Sequence, residues 1–190
     1  MTIKYNSDIH HRQSIRLKGF DYSQAGAYFL TICIQDRECL FGNVVNGEMQ
    51  LHEAGKAIQK WWDETAIKFK NIELDESVVM PNHFHGVIFI VGADLRVCPD
   101  INNDDKNKGE HTGSPLHKIV QWFKTMTTNE YIRGIKLFDW SPFNGKLWQR
   151  NYYEHIIRND AEMNRIREYI LNNPLQWDSD SENPENVKGL

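Results

Sequence analysis

His83–Val91 reads HFHGVIFIV and is the clearest strand in the chain. It is rich in β-branched and aromatic residues and follows a Pro81-Asn82 turn. In a strand, side chains at i and i+2 share a face, with their Cα atoms about 6–7 Å apart. His83 and His85 therefore point the same way and can converge on one metal ion. Phe84 points the opposite way, into a helix-covered core. The pair stands at the mouth of the strand, where a site is accessible.

The chain on either side supplies the other layers. Tyr28–Ile34 (YFLTICI) reads as a strand, and Gly42–Leu51 holds Asn46-Gly47, a strong hairpin signal between two short strands. From Glu53 to Phe69, apolar residues at 54, 57, 58, 61, 62 and 66 follow a helical period. Ile72–Met80 reads as a strand. Ser114-Pro115 suits a helix start, and Leu116–Tyr131 continues it with Ile119, Val120, Phe123 and Met126 on one face. Trp148–Ile157 includes a further strand. Asp160–Asn173 reads as a helix that Asp160 can cap and Pro174 ends. The order predicts an α+β sandwich, a ferredoxin-like, mostly antiparallel sheet with helices on one face. Residues 1–177 form one domain in this reading. Residues 92–114, polar and without periodicity, are an expected flexible loop, and the acidic tail 178–190 is expected to be disordered.

The bulk numbers set limits. A chain of 190 residues suits one domain with a real core. No apolar run approaches the roughly 20 residues that span a bilayer. The opening MTIKYNSDIHHRQ lacks the apolar segment of a secretory signal, so the expected location is the cytoplasm. Cys33, Cys39 and Cys98 are odd in number and include no CxxC pair, which excludes a disulfide scaffold and a zinc ribbon. The net charge of −4 is not that of a typical nucleic-acid binder, but it is uneven. Residues 1–20 carry Lys4, Arg12, Arg16 and Lys18 against Asp8 alone, and the 115–158 stretch is also net basic. The acid gathers in the tail, at Asp178, Asp180, Glu182 and Glu185. A local basic face is thus compatible with the acidic total.

Two histidines do not complete a metal site. A His-x-His-x-His triad fails at Val87, no HExxH occurs, and the remaining histidines, His155 among them, are scattered. In the last helix, Tyr169 and Asn173 are four residues apart and share a face, so a hydroxyl and an amide project together.

MPNHFHGVIFI, WQRNYYEHIIRN and REYILNNP, in this order, resemble the REP-associated tyrosine transposases. These belong to the single-tyrosine branch of the HUH endonucleases, named for a His–hydrophobic–His motif that His83, Phe84 and His85 match. The resemblance runs from about Ile15 to Trp177, and the opening segment RLKGFDYSQAGAYFLTICIQDRECLFG shares in it. It implies a ferredoxin-like palm and a metal-dependent endonuclease and strand transferase. Its substrate would be single-stranded DNA beside a short hairpin. The nucleophile would be Tyr169. Metal ligands would be His83, His85 and Asn173, the last where insertion-sequence relatives often have a longer glutamine. Mg²⁺ or Mn²⁺ is the expected ion.

Arg12, Arg16, Lys118, Lys124, Arg150 and Arg158 are candidate DNA-binding residues. Tyr152 and Tyr153 are candidates for stacking on bases, and rivals to Tyr169 as nucleophile. In a strand they face opposite ways, so at most one faces the site. The chain is expected to act away from membranes, as a monomer or a homodimer. The alternatives at this level are a non-catalytic hairpin-binding protein and a hydrolase of small phosphate esters.

Overall fold

A computed structural model describes residues 25–91 and 114–187. The arm with Arg12 and Arg16, and residues 92–113 of the expected loop, lie outside them. The elements are β1 (Gly26–Cys33), β2 (Gly42–Val45), β3 (Glu48–Leu51), α1 (Glu53–Lys68), β4 (Ile72–Val79), β5 (His83–Ile90), α2 (Pro115–Phe138), β6 (Tyr153–Ile157) and α3 (Asp160–Asn172). Asn46 and Gly47 take φ of 54° and 78°, the left-handed pair that a tight two-residue hairpin needs.

The main sheet runs β4-β5-β1-β6, and every neighbouring pair is antiparallel. β2 and β3 form a separate two-stranded ribbon. Apart from this ribbon the order is β-α-β-β-α-β, the split βαβ arrangement. The α+β class and its antiparallel sheet are therefore as expected. The layers are richer than expected, because α3 covers the second face. Tyr28, Leu30 and Ile32 of β1 and Phe84 and Ile88 of β5 pack under α1 and α2. Ala27 and Phe29 of β1 and Val87 of β5 pack against Met163 and Ile170 of α3. Both faces of the central strands are apolar, so both must be shielded from water.

Several boundaries differ from the sequence reading. α2 runs on to Phe138 because Tyr131 and Gly134 are buried. The Trp140 ring lies where a side chain at Gly134 would stand. Asp139, with φ of 55°, then ends the helix. Trp148 makes only an isolated bridge to Ile34, so the strand begins at Tyr153. The cap of α3 is Asn159, whose side chain accepts from the Glu162 backbone N–H at 2.9 Å, and not Asp160. Pro174 does not stop the chain turning: Asn173 stays in the helical region and Pro174–Ser179 continue as a 3₁₀ helix.

The tail shows the largest difference. Residues expected to be disordered from Asp178 are folded through Val187. Pro184–Val187 form a helical turn, and Asn183 is buried. Asn186 Nδ2 donates to the backbone carbonyls of Asp178 and Asp180, each at 2.9 Å. These bonds, rather than an apolar pattern, hold the segment.

Gly86 shows how tightly the histidine-bearing strand is packed. A Cβ there would lie 2.7 Å from the Trp62 ring and 2.8 Å from the Phe84 ring. Gly86→Ala is expected to cost about 1–3 kcal/mol of stability, read from the urea midpoint. A variant as stable as the parent would overturn this packing account.

Candidate active site

The site gathers where β1 ends, β5 begins and α3 ends. The register pairs Cys33 with His83 and Thr31 with His85, while Thr31 also pairs with Tyr153 of β6. Both histidines are buried, at 0% and 3% exposure. Their ring centroids are 4.6 Å apart, so the convergence expected from strand alternation is realised. Phe84 points into the α1/α2 core.

Each imidazole is held through one nitrogen. His83 Nδ1 lies 2.9 Å from Asn82 Oδ1. Asn82 Nδ2 donates to the carbonyls of Arg37 and Glu182 at 3.0 and 2.7 Å. That fixes which end of the amide is the acceptor, so His83 carries its proton on Nδ1. Nε2 is left as a bare lone pair with no hydrogen-bond partner. His85 Nδ1 is 2.9 Å from Thr31 Oγ1, and its Nε2 is 3.4 Å from the Tyr169 hydroxyl. Phe29 stacks on His85 at 5.3 Å and meets Tyr169 edge-on at 6.0 Å, fixing both rings from below.

α3 brings the other two groups. Tyr169 is 40% exposed, while Asn173, one turn on, is 1% exposed. The Asn173 amide is close enough to affect the proton affinity of both His83 and Tyr169, yet its Oδ1 has no partner within hydrogen-bonding range. Arg167 anchors this end of the helix. Its Nε and Nη2 grip the two Asp75 carboxylate oxygens of β4 at 2.7 and 2.6 Å. This pairing holds the Asp75 carboxyl below its usual range.

The tail closes over the histidines. Asp180 Oδ2 lies 3.9 Å from His83 Nε2, and the Trp177 ring is 6.1 Å from the His83 ring. Arg37 Nε pairs with Glu182 Oε2 at 3.2 Å, and Arg37 Nη1 donates to the Ser181 carbonyl at 3.3 Å. A cleft of about 370 Å³ remains, lined in part by Thr31, His85, Tyr153, Tyr169 and Asp180.

The electrostatics follow from burial. The His83 pKa is pushed down to about 4 by desolvation, against the Asp180 carboxylate and the Asn173 amide, which pull it up. Desolvation also takes His85 well below its ordinary value, with His83 adding to the effect. Both imidazoles are thus neutral near pH 7, the state that ligates metals. The Tyr169 hydroxyl is shifted up, first by burial and then by Asp180. Among the described residues, no three histidine, cysteine or carboxylate groups cluster in a metal-holding arrangement. The donor set that does converge is two imidazoles and an amide. Its unpartnered, buried Nε2 and Oδ1 atoms fit a divalent cation.

The other expected contacts divide. Tyr153 is exposed and edge-on to Phe29 at 6.3 Å, on the site face. Tyr152 packs against the α1/α2 core. Lys124 points inward. Its Nζ donates to the carbonyls of Gln149 and Asn151 at 2.9 and 3.1 Å and sits 5.4 Å over the Tyr152 ring. Burial lowers its pKa to about 8. Lys124 therefore braces the 149–151 segment rather than offering a free charge to DNA. Arg150, Lys118 and Arg158 are exposed. Arg150, Lys146, Gln149 and Tyr152 help line a second cleft of about 500 Å³. His155 bonds Glu162 at 2.8 Å, in the first turn of α3, and does not join the histidine pair.

Sequence reading missed Thr31, Asn82 and Asp180. Asn82, directly before the histidine motif, was legible as a neighbour. Nothing in the local pattern marks the other two.

No family model matches the chain. An uncharacterised protein of Haemophilus influenzae is 41% identical over 182 residues, covering 95% of this chain and 97% of that protein. The chain belongs to the same family as that protein. A second Haemophilus influenzae protein, provisionally named a REP-associated tyrosine transposase, is 23% identical over 159 residues, covering 82% of this chain and 74% of its own. Among solved structures, a REP-associated tyrosine transposase bound to a REP hairpin matches with a TM-score of 0.51 at 16% identity. The match covers 80% of this chain and 67% of that one. The resemblance to REP-associated tyrosine transposases thus extends to the fold. No helix among the described residues is long and apolar enough to cross a membrane.

The buried neutral histidines make a pH prediction. His83 binds its proton less readily when folded, near pH 4, than at its ordinary value of 6.5. The unfolded chain takes up that proton first as pH falls, so acid favours unfolding across this window. Without added metal, the urea midpoint should fall from about pH 6.5 to about pH 5, above the range where paired carboxylates such as Asp75 contribute. A flat profile there would show that the pair is not held neutral.

Proposed function

We propose that the chain is a metal-dependent single-strand DNA endonuclease and strand transferase, a transposase acting beside DNA hairpins. The observation that carries this reading is the Tyr169 hydroxyl 3.4 Å from His85 Nε2, with the free Nε2 of His83 and the free Oδ1 of Asn173 beside it. A half-exposed nucleophile set against a cation-ready donor cluster is what phosphodiester transfer needs.

In this reading His83, His85 and Asn173 hold Mg²⁺ or Mn²⁺. A bound cation would neutralise the scissile phosphate, hold it in line and favour the phenolate. Tyr169 Oη attacks phosphorus, the P–O3′ bond breaks, and the 3′-oxygen leaves with a proton as a free hydroxyl. The 5′-phosphate stays on Tyr169 as a phosphotyrosine ester. A 3′-hydroxyl from another strand reverses the step, so cutting and joining need no ATP.

Phe29 and Arg167 orient Tyr169 in this scheme. Tyr153 lies on the site face and is placed to stack on a base next to the cut. The second cleft shares Gln149 and Tyr152 with the site cleft, which offers a hairpin stem a route past Arg150 toward Tyr169.

Hairpin oligonucleotides carrying a 5′-overhang, incubated with Mn²⁺, test the proposal. The parent should form a covalent adduct that survives denaturing gels, and Tyr169→Phe should abolish it. Tyr153→Phe should retain it. An adduct formed by Tyr169→Phe would sink the nucleophile assignment. Hairpin binding by the parent with no adduct would leave the non-catalytic reading.

A further inference from the structure

The tail carries one acidic group into the most buried part of the site. Asp180 Oδ2 faces His83 Nε2 at 3.9 Å, and the carboxylate side chain is only 10% exposed. Its orientation is set from outside the site. Oδ1 accepts from the Glu182 backbone N–H at 2.7 Å, which leaves Oδ2 aimed inward. The backbone carbonyl of Asp180 accepts from Asn183 N and Asn186 Nδ2, at 3.1 and 2.9 Å. The neighbouring Glu182 carbonyl is tied to Asn82, the same side chain that orients His83.

This arrangement leaves acceptors facing one another. Asn82 fixes the His83 proton on Nδ1, so Nε2 presents a lone pair. Asp180 Oδ2 presents another, and the buried Oδ1 of Asn173 has no donor. Nothing among them supplies a proton to share. Buried acceptors in that relation repel unless a positive charge lies between them. Donors on one ion with bonds of about 2.1 Å must lie within about 4.2 Å of each other. The Nε2 to Oδ2 separation meets that limit.

We infer that Asp180 is a fourth protein ligand of the divalent cation, delivered by the folded tail to the cluster of His83, His85 and Asn173. The inference rests on the metal-binding reading of that cluster. It gives the acidic tail a specific role: the imidazoles and the amide are neutral, and Asp180 adds the anionic donor that hard cations favour. The tail segment from Trp177 to Asn183 thereby becomes part of the metal centre.

The test uses the full chain without DNA, with bound Mn²⁺ measured from the loss of the free-ion electron paramagnetic resonance signal. Asp180→Asn keeps the Oδ1 acceptor of the turn and removes only the charge. It should weaken Mn²⁺ binding by at least about tenfold, while Glu185→Gln, elsewhere in the tail, should bind as the parent does. On the unaltered protein, added Mn²⁺ should slow hydrogen exchange of the Glu182 and Asn183 amides, a readout that does not depend on any variant folding. Parent-like affinity in Asp180→Asn, or exchange in the tail indifferent to Mn²⁺, overturns the role of Asp180. If His83→Ala loses Mn²⁺ in the same experiment, the site reading stands without it. If the parent binds no Mn²⁺, or His83→Ala binds it equally well, the site reading itself fails.

Discussion

The alternation of side chains along β5 is the constraint on which the rest depends. One residue step separates a metal-type face from a hydrophobic core. Phe84 is locked between Trp62 and Phe123, and Gly86 leaves room for the Trp62 ring. A slip of one residue in this register would bury both histidines under α1 and α2 and expose Phe84. The packing of one face therefore enforces the chemistry of the other.

On the α3 side, the order of support runs outward from the histidines. Asn82 and Thr31 hold the Nδ1 atoms, Phe29 holds the rings, and Asp75 holds Arg167 and with it the helix carrying Tyr169. None of these groups is charged except the last pair, and it lies away from the histidines. The histidines can thus stay buried and neutral, which costs stability in acid but keeps their lone pairs available. The same burial raises the proton affinity of Tyr169. The chemistry proposed here needs a positive charge nearby to reverse that effect.

Much of the fold was legible because its signals are local. The Asn46-Gly47 turn, the Ala54–Ala66 helical stripe and the apolar run after His85 each depend on residues close in sequence. Errors arose where distant contacts decide. α2 outlasts its stripe because Trp140 folds back over Gly134. α3 covers the second sheet face, and the helix layout alone does not say which face it takes. Lys124 looks like a surface cation in a basic stretch, yet it is drawn inward by backbone carbonyls of a segment 25 or more residues away.

The sequence by itself determined that two histidines share a strand face and that Tyr169 and Asn173 share a helix face. Those facts follow from the two fixed periods of the backbone. Tertiary structure decided that the two faces meet, because antiparallel pairing of β1 with β5 and the seating of α3 bring their ends together. It also decided the fate of the tail. Acidic residues with no apolar pattern give no sign of order. Asp178–Val187 is ordered by hydrogen bonds to Arg37, Asn82 and its own turns, partners that exist only once the chain has folded.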